Sequence, residues 1–183
     1  MITLLKKIKN FLFPSKIELR FFIFKGPGLS LSDPLHVAII DSWQEFCSTP
    51  RIPNSLKNEI SEQRFERHDR FVYLANAKEI LSWGWIFGGK SFYLFETGKT
   101  SCHEDNTFVY DFFTPEKHRN HSYYTILLSN IPSLLGTSKV TIGAASKNVA
   151  SIRGIQKAGF IPYDMKFCDD RRIFQKFPES EKL

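Results

Sequence analysis

The sequence predicts one domain of the α/β or α+β class, with helices packed on a mixed sheet. Its 183 residues match the usual length of a single domain, and a hydrophobic content of 42% is enough to build a sizeable core. Short segments rich in β-branched and aromatic residues alternate with segments whose apolar residues recur at helical spacing. We therefore expect a single domain over residues 17–178, preceded by a basic amphipathic segment, 1–16, and followed by a polar tail, 179–183.

The first half of the chain predicts a strand, two helices and then several strands. Residues 17–25 (IELRFFIFK) are β-rich and are followed by the turn sequence GPG, which predicts a strand. Residues 36–46 have apolar side chains at helical spacing and predict a helix, and residues 54–69 predict a second, more polar helix. The β-rich runs that follow are residues 70–76, 79–87, 91–98 and 107–113.

The second half predicts a helix, a strand, another helix and a terminal hairpin. Residues 123–135 place their apolar side chains along one stripe, but Pro132 predicts that this helix kinks or ends near Asn130. Residues 139–144 (KVTIGA) show no alternation, as expected of a strand buried on both faces. In the helix that follows, Asn148 is the predicted N-cap and Gly159 lies just beyond the last turn.

A basic turn joins the strand at residues 107–113 to the next helix. Its sequence, TPEKHRNHSYY, contains Arg119 and His121 but no glycine. The start of a helix presents unpartnered backbone N–H groups and the equivalent of about half a positive charge, which together favour a bound phosphate. Such turns usually contain glycine, because the backbone must take positive φ and approach the phosphate closely. Asn120 tolerates left-handed geometry and Ser122 adds a hydroxyl donor, so we expect this turn to hold a phosphate; the alternative is a turn that has lost its ligand.

Two segments resemble the GNAT (GCN-five-related) N-acetyltransferase family. Residues 148–160, NVASIRGIQKAGF, are similar to the family's Asn-x-x-(Ala/Ser)-x-x-x-x-x-Lys-x-Gly-Phe helix and turn. Residues 119–124, RNHSYY, stand where the family has Arg/Gln-x-x-Gly-x-Gly/Ala. The resemblance implies a mixed, splayed central sheet of six to seven strands with about four flanking helices. It also implies transfer of an acetyl group from acetyl-CoA to the primary amine of a small acceptor.

The resemblance further implies where acetyl-CoA would bind. In the family, the strand before the turn splays from its neighbour, and the pantetheine arm pairs with its backbone like an added strand. Asn148 would lie across the pantetheine and Ser151 near the pyrophosphate, although ordinary helix capping explains both positions equally well. The implied cofactor-binding residues are Phe112, Phe113, Thr114, Arg119, Asn120, His121, Ser122, Tyr123, Tyr124, Asn148 and Ser151.

The acid and the base of the reaction are marked less clearly. Many family members carry a tyrosine on the last helix as the acid, and this chain has Ile155 in its place. Asp111, within the apolar strand FVYDFF, is one candidate, because burial among aromatic side chains would suit it to proton transfer; the alternative is a carboxylate bound by an arginine. Tyr163 either faces the thiol or packs in the terminal hairpin. Glu96 either lies near the substrate mouth or is a solvated loop acid.

The acceptor and the biological role are open to two interpretations. Aromatic residues between 83 and 93 form either a wall for a sugar or an apolar amine, or part of the core. The segment YDFFTPEKHRN is similar to acetyltransferases found among surface-polysaccharide genes, which implies an amino sugar as acceptor. The missing glycines and Ile155 motivate the alternative of a non-catalytic CoA-binding or regulatory module.

The composition limits the classes of ligand and the cellular compartment that we expect. A net charge of +6 favours an anionic partner without separating nucleotides from nucleic acids or membranes. The loop sequence CHED lacks metal-ligand spacing, so we expect no metal, and three unpaired cysteines favour a reducing cytoplasm. Residues 1–14 either contact an anionic membrane peripherally or pack on the domain. We expect a monomer or homodimer that binds a small amine and no nucleic acid.

Overall fold

The computed structural model describes residues 16–32, 34–57, 59–88, 91–94, 99–102 and 106–169. Within these ranges the strands are β1 (Lys16–Phe24), β2 (His36–Ile40), β3 (Arg70–Ala75), β4 (Ile80–Ile86), β5 (Ser91–Leu94), β6 (Lys99–Cys102), β7 (Thr107–Phe113), β8 (Val140–Ala145) and β9 (Phe160–Asp169). The α-helices are α1 (Trp43–Ser48), α2 (Glu59–Glu66), α3 (Tyr123–Leu135) and α4 (Val149–Lys157). Short 3₁₀ turns lie at Asn54–Leu56 and Glu116–His118.

Seven strands form one mixed sheet in the order β2-β3-β4-β7-β8-β1-β9, and β5 pairs with β6 separately. The pairing of β7 with β8 is parallel, and the other neighbours in the large sheet are antiparallel. The predicted mixed sheet of six to seven strands, with about four flanking helices, is therefore confirmed.

Strand β1 lies inside the sheet, a position that the sequence does not predict. Strand β1 is antiparallel to β8 on one side, with Phe22 opposite Ile142, and to β9 on the other, with Phe24 opposite Phe160. Phe21 and Phe22 point to opposite faces, and each is only 1% exposed. Because both neighbours and both faces are occupied, β1 is an integral part of the core.

Helices cover the two faces of the sheet and form two main clusters of buried side chains. On one side, here called the α3/α4 face, Leu127 and Leu128 of α3 pack with Ile155 of α4 and with apolar strand residues. On the other, the α1/α2 face, Phe46 of α1 and Phe65 of α2 pack on aromatic residues of the strands. The sheet thus separates two environments, and any opening through it would connect them.

The predicted helix over residues 36–46 is wrong in its first half. Residues His36–Ile40 form β2, which pairs with β3, and the helix begins only after Ser42. The Ser42 hydroxyl accepts a hydrogen bond from the backbone N–H of Glu45 at 3.2 Å, which caps α1. Pairing with a neighbouring strand decides the conformation here, because the spacing of short apolar runs fits a strand as well as a helix.

The predicted end of α3 near Asn130 is also wrong. The helix continues through Pro132 to Leu135 and ends at Gly136, whose φ is +64°. The Gly136 N–H donates to the carbonyls of Pro132 and Ser133. Proline removes only one backbone donor, and burial of the Pro132 ring in the core compensates for that loss in the last turn.

The predicted caps of α4 are confirmed. The Asn148 carboxamide oxygen accepts a hydrogen bond from the Ser151 N–H at 3.1 Å, and Gly159 has a φ of +96° just beyond the helix.

Within the described ranges, none of the helices has the length and apolar composition that crossing a bilayer requires.

Candidate active site

The large sheet splits between β7 and β8. These strands pair at Thr107–Val140, Phe108–Thr141 and Val109–Ile142, and no pairing continues beyond Val109, although β7 runs on to Phe113 and β8 to Ala145. A cavity of about 810 Å³ opens at the gap, within the usual size range of small-molecule sites. Its wall includes residues of β7, β8, α3 and α4.

A bulge in β7 shapes one side of this cavity. The register with β4 shifts between Trp83, which pairs with Phe113, and Trp85, which pairs with Tyr110. At the bulge Asp111 has a φ of +52°, a left-handed conformation uncommon for a residue other than glycine. The extra residue turns Asp111 toward α2 on the α1/α2 face, where its Oδ2 accepts a hydrogen bond from Arg64 at 2.6 Å.

The basic turn before α3 has the backbone geometry for which glycine is usually required. Asn120 has a φ of +67° and Ser122 a φ of +63°, and both residues line the cavity. The Arg119 Nε donates to the Thr114 carbonyl at 3.3 Å, and the Thr114 hydroxyl lies 2.9 Å from the hydroxyl of the buried Ser82. The turn therefore keeps its left-handed shape without glycine, and its guanidinium is tied to the end of β7.

Replacing Ser122 with glycine is expected to raise the free energy of unfolding by about 0.5–1 kcal/mol. A left-handed residue with a Cβ costs about 1–2 kcal/mol, and the greater freedom of glycine in the unfolded chain offsets part of the gain. Ser122 makes no capping hydrogen bond through its side chain, so the substitution removes no such contact. Urea denaturation of the Ser122→Gly and Ser122→Ala variants measures this, since alanine keeps the strain. Equal stabilities of the two variants would contradict the prediction.

Tyr124 joins α3 to α4 on the opposite wall. Its hydroxyl and that of Ser151 share a hydrogen bond of 3.0 Å, and its ring lies 5.7 Å from that of Phe112. Gly154 makes room for the tyrosine, because a Cβ at this position would lie 2.7 Å from the ring. Burial raises the pKa of Tyr124 to about 12, so the phenol is protonated at neutral pH. The tyrosine thus lines the cavity without filling it.

Solved structures with the same arrangement of strands and helices include acetyltransferases. A GNAT-family acetyltransferase from Colwellia psychrerythraea matches at a TM-score of 0.55 and 11% identity, over 85% of this chain and 57% of its own. A GCN5-related N-acetyltransferase from Kribbella flavida matches at 0.51 and 11%, over 85% and 58%. A conserved protein of unknown function from Staphylococcus epidermidis matches at 0.60 and 12%, over 90% and 65%.

The chain has the GNAT fold. It spans less than two thirds of the length of each of these three structures. No protein-family model matches the sequence, and no curated protein matches it either. The likeness is therefore one of fold.

The GNAT fold brings together all but one of the predicted cofactor-binding residues. His121 is the exception: its ring stacks on Tyr123 at 5.5 Å, and its Nδ1 lies 2.8 Å from the Arg119 carbonyl oxygen. The predicted residues that line the cavity are Phe112, Phe113, Thr114, Arg119, Asn120, Ser122, Tyr123, Tyr124, Asn148 and Ser151.

Several cavity residues were missed by the sequence-based prediction. Gly154 and Lys157 follow Ser151 at intervals of three, so helical periodicity would have placed them on the same face of α4. His118 and Tyr110 also line the cavity, and Tyr110 lies at the bulge, which depends on the pairing of β7 with β4.

Of the three predicted catalytic residues, the structure describes Asp111 and Tyr163. The expected burial of Asp111 is wrong, because its side chain is 59% exposed, but the alternative of a carboxylate bound by an arginine is confirmed by its pair with Arg64. Asp111 lies on the same side of β7 as Tyr110. Tyr163 does not line the cavity, and β1 separates its strand from β8. Glu96 lies outside the described residues, as do residues 103–105 of the CHED loop. Of these three, Asp111 is the one that the described structure places at the cavity.

A buried polar cluster around Asp69 contacts the bulge through Tyr110. The Asp69 side chain is fully buried and accepts hydrogen bonds from the Tyr110 hydroxyl at 2.5 Å and from Arg67 at 2.7 Å. Its other oxygen accepts from the Gly88 N–H at 3.1 Å. Burial, followed by the charge of Asp69, raises the pKa of the Tyr110 hydroxyl. The cluster therefore connects the end of α2 to β7 through a phenol that is protonated at neutral pH.

Part of the aromatic set between residues 83 and 93 belongs to the core, and the side chains of Phe92 and Tyr93 lie outside the described ones. Trp83 and Trp85 are 8% and 4% exposed and pack in the α1/α2-face cluster. Phe113 is the aromatic side chain that remains open at this end of the cavity, with 47% exposure and its ring 4.9 Å from that of Trp83.

Proposed function

We propose that this protein transfers an acetyl group from acetyl-CoA to the primary amine of a small acceptor. The observation that carries the proposal is the cavity at the split of the sheet, with a basic left-handed turn and a helix N-terminus in its wall. Backbone N–H groups and a guanidinium at such a position suit a diphosphate. The occurrence of the same fold in GNAT-family acetyltransferases supports the reaction class.

The residues present fit the donor that the fold implies. Asn120 and Ser122 adopt the left-handed backbone that lets a phosphate approach, and Arg119 and Lys157 add positive charge to the wall. Beyond Val109, the backbone of β7 has no partner strand on the β8 side within the described residues, so an extended arm could pair with it. When bound, acetyl-CoA supplies an acetyl group activated as a thioester.

The chain must hold the acceptor amine and accept its proton. An ammonium loses one proton before its nitrogen forms the amide C–N bond; the C–S bond then breaks, and the second proton accompanies the thiolate as it leaves as a thiol. We assign the first step to Asp111, the one carboxylate among the described residues that line the cavity. Its open oxygen would receive the ammonium proton and return it to water.

Within this class, we propose an amino sugar of a surface-polysaccharide pathway as the acceptor. The support is the exposed ring of Phe113 next to Asp111 in the cavity wall. A sugar ring can pack against an aromatic face while its polar groups bond to a carboxylate.

Replacing Arg119 with alanine is expected to weaken acetyl-CoA binding by about 10- to 100-fold. The lost interaction is a charged hydrogen bond to phosphate, worth about 1.5–3 kcal/mol. Isothermal titration calorimetry with acetyl-CoA measures the affinity. Arg153→Ala is the matched control, because Arg153 is exposed on α4 and does not line the cavity. The same affinity in both variants would contradict the assigned phosphate position.

Turnover separates this proposal from a non-catalytic CoA-binding module. A thiol-release assay with acetyl-CoA and a panel of primary amines, amino sugars included, should show amine-dependent release of free CoA. Acetyl-CoA binding without release across the panel would favour the module. Absence of binding at millimolar acetyl-CoA would reject both.

A further inference from the structure

The cavity lies at the split in the sheet and has lining residues on both faces. The charged residues at its two ends differ in sign. At the α3/α4 end its wall contains Arg119 and Lys157, whose positive charges suit an anionic donor. At the α1/α2 end the wall is formed by Tyr110, Asp111 and Phe113 of β7. A donor held at the first end leaves the second end for the acceptor.

The only carboxylate among the described cavity-lining residues is Asp111, and Arg64 holds it in place. The Arg64 guanidinium lies over the rings of Trp85, at 4.8 Å, and Tyr110, at 5.3 Å. This contact leaves the Arg64 side chain 12% exposed, whereas the Asp111 side chain is 59% exposed. The positive partner is therefore enclosed by aromatic rings, and the negative partner is open to solvent at a residue that lines the cavity.

This unequal exposure determines which charges an acceptor meets. The Arg64 bond occupies Oδ2 of Asp111, and Oδ1 remains available to a ligand. An ammonium placed there gains a charge-assisted hydrogen bond. A carboxylate next to that ammonium would lie nearer to Asp111 than to Arg64, which is too enclosed to hydrogen-bond it, so repulsion by Asp111 would outweigh attraction by Arg64.

We propose that Asp111, positioned by Arg64, forms an acceptor subsite that selects primary amines without a neighbouring carboxylate. The substrate class is amines on neutral or cationic carriers, such as amino sugars, aryl-ethylamines and polyamines, in preference to α-amino acids. Phe113 provides the apolar surface for the carrier beside the charged contact. The inference rests on the proposed acetyl transfer and adds the rule by which the acceptor is chosen.

Matched acceptors that differ only in a carboxylate test the subsite. We would measure kcat/KM of the full chain for tyramine against tyrosine and for tryptamine against tryptophan, with tyrosine methyl ester as a neutralised control. Glucosamine is measured beside these pairs as the sugar acceptor. The expected result is a preference of at least about tenfold for each amine over its amino acid. The methyl ester should recover most of the loss, because it removes the negative charge.

The Asp111→Asn variant identifies the residue responsible. Asparagine also tolerates positive φ and can accept the Arg64 hydrogen bond, so the bulge is expected to persist. The variant should lose about 10- to 100-fold in kcat/KM for the amines, and the amine-to-amino-acid ratio should fall to within about threefold. Its thermal stabilisation by acetyl-CoA should equal that of the unmodified chain.

Each other result counts against the proposal in a distinguishable way. Equal use of tyramine and tyrosine, or an unchanged ratio in Asp111→Asn, would overturn the subsite and leave acetyl transfer standing. Failure to acetylate any acceptor, with acetyl-CoA stabilisation intact, would also overturn the subsite. Absence of acetyl-CoA stabilisation in the unmodified chain would remove the proposed function and the subsite with it.

Discussion

Replacing Asp69 with alanine is expected to lower the free energy of unfolding by about 3–5 kcal/mol. The Asp69 carboxylate is fully buried and accepts hydrogen bonds from Tyr110, Arg67 and the Gly88 backbone. Removing one partner of a buried charged cluster costs about this much, because the remaining groups are not rehydrated. Urea denaturation followed by tryptophan fluorescence measures the loss.

The control for Asp69 is an ion pair of similar geometry on the surface. Asp41 binds Arg70 at 2.5 Å, but the Asp41 side chain is 64% exposed and that of Arg70 is 38% exposed, so Asp41→Ala should cost less than about 1 kcal/mol. Asp69→Asn should fall between the two, because an amide can still accept from Gly88 and Tyr110. If Asp69→Ala costs no more than Asp41→Ala, the buried cluster does not stabilise the domain.

Replacing Phe22 with alanine is expected to cost a similar amount, about 3–5 kcal/mol. The Phe22 side chain is 1% exposed in the α3/α4-face cluster, and its strand lies between β8 and β9. Truncation would leave a cavity that two paired strands and the helices above them prevent from collapsing. Chemical denaturation measures the change.

Leu29→Ala is the matched control for Phe22, because Leu29 follows the same strand but is 42% exposed. It should change the free energy of unfolding by less than about 0.5 kcal/mol. Amide hydrogen exchange gives an independent measurement, and the β1 amides should be protected as long as those of β8. Fast exchange in β1, together with a small effect of Phe22→Ala, would show that the first strand is not a central one.

The turn before α3 shows how far local reasoning reaches. Asn120 and Ser122 were identified from the sequence as residues that take the place of glycine there, and both have positive φ. The placement of Tyr124 needed information from another element, because its ring depends on the space left by Gly154 of α4. The φ preference of a residue depends on its own side chain, whereas the space available to that side chain depends on the residues packed against it.

The burial expected for Asp111 is wrong for a related reason, whereas the alternative of a carboxylate bound by an arginine is confirmed. Simple alternation along a strand places Asp111 opposite Tyr110, but the bulge adds a residue and turns both toward the α1/α2 face. Its partner, Arg64, lies 47 residues away in the sequence. Neither the bulge nor the pair has a local signal.

The sequence by itself determined the class of fold, the buried strand β8, the caps of α4 and the unusual turn before α3. Each of these depends on interactions within a few residues: side-chain periodicity, a capping hydrogen bond or the φ tolerance of one residue. Only the tertiary structure decided that β1 enters the middle of the sheet, that His36–Ile40 form a strand, and that Asp111 meets Arg64 at the mouth of the cavity. Strand pairing and bulges are chosen by contacts between distant segments, whose energies no single stretch of the chain contains.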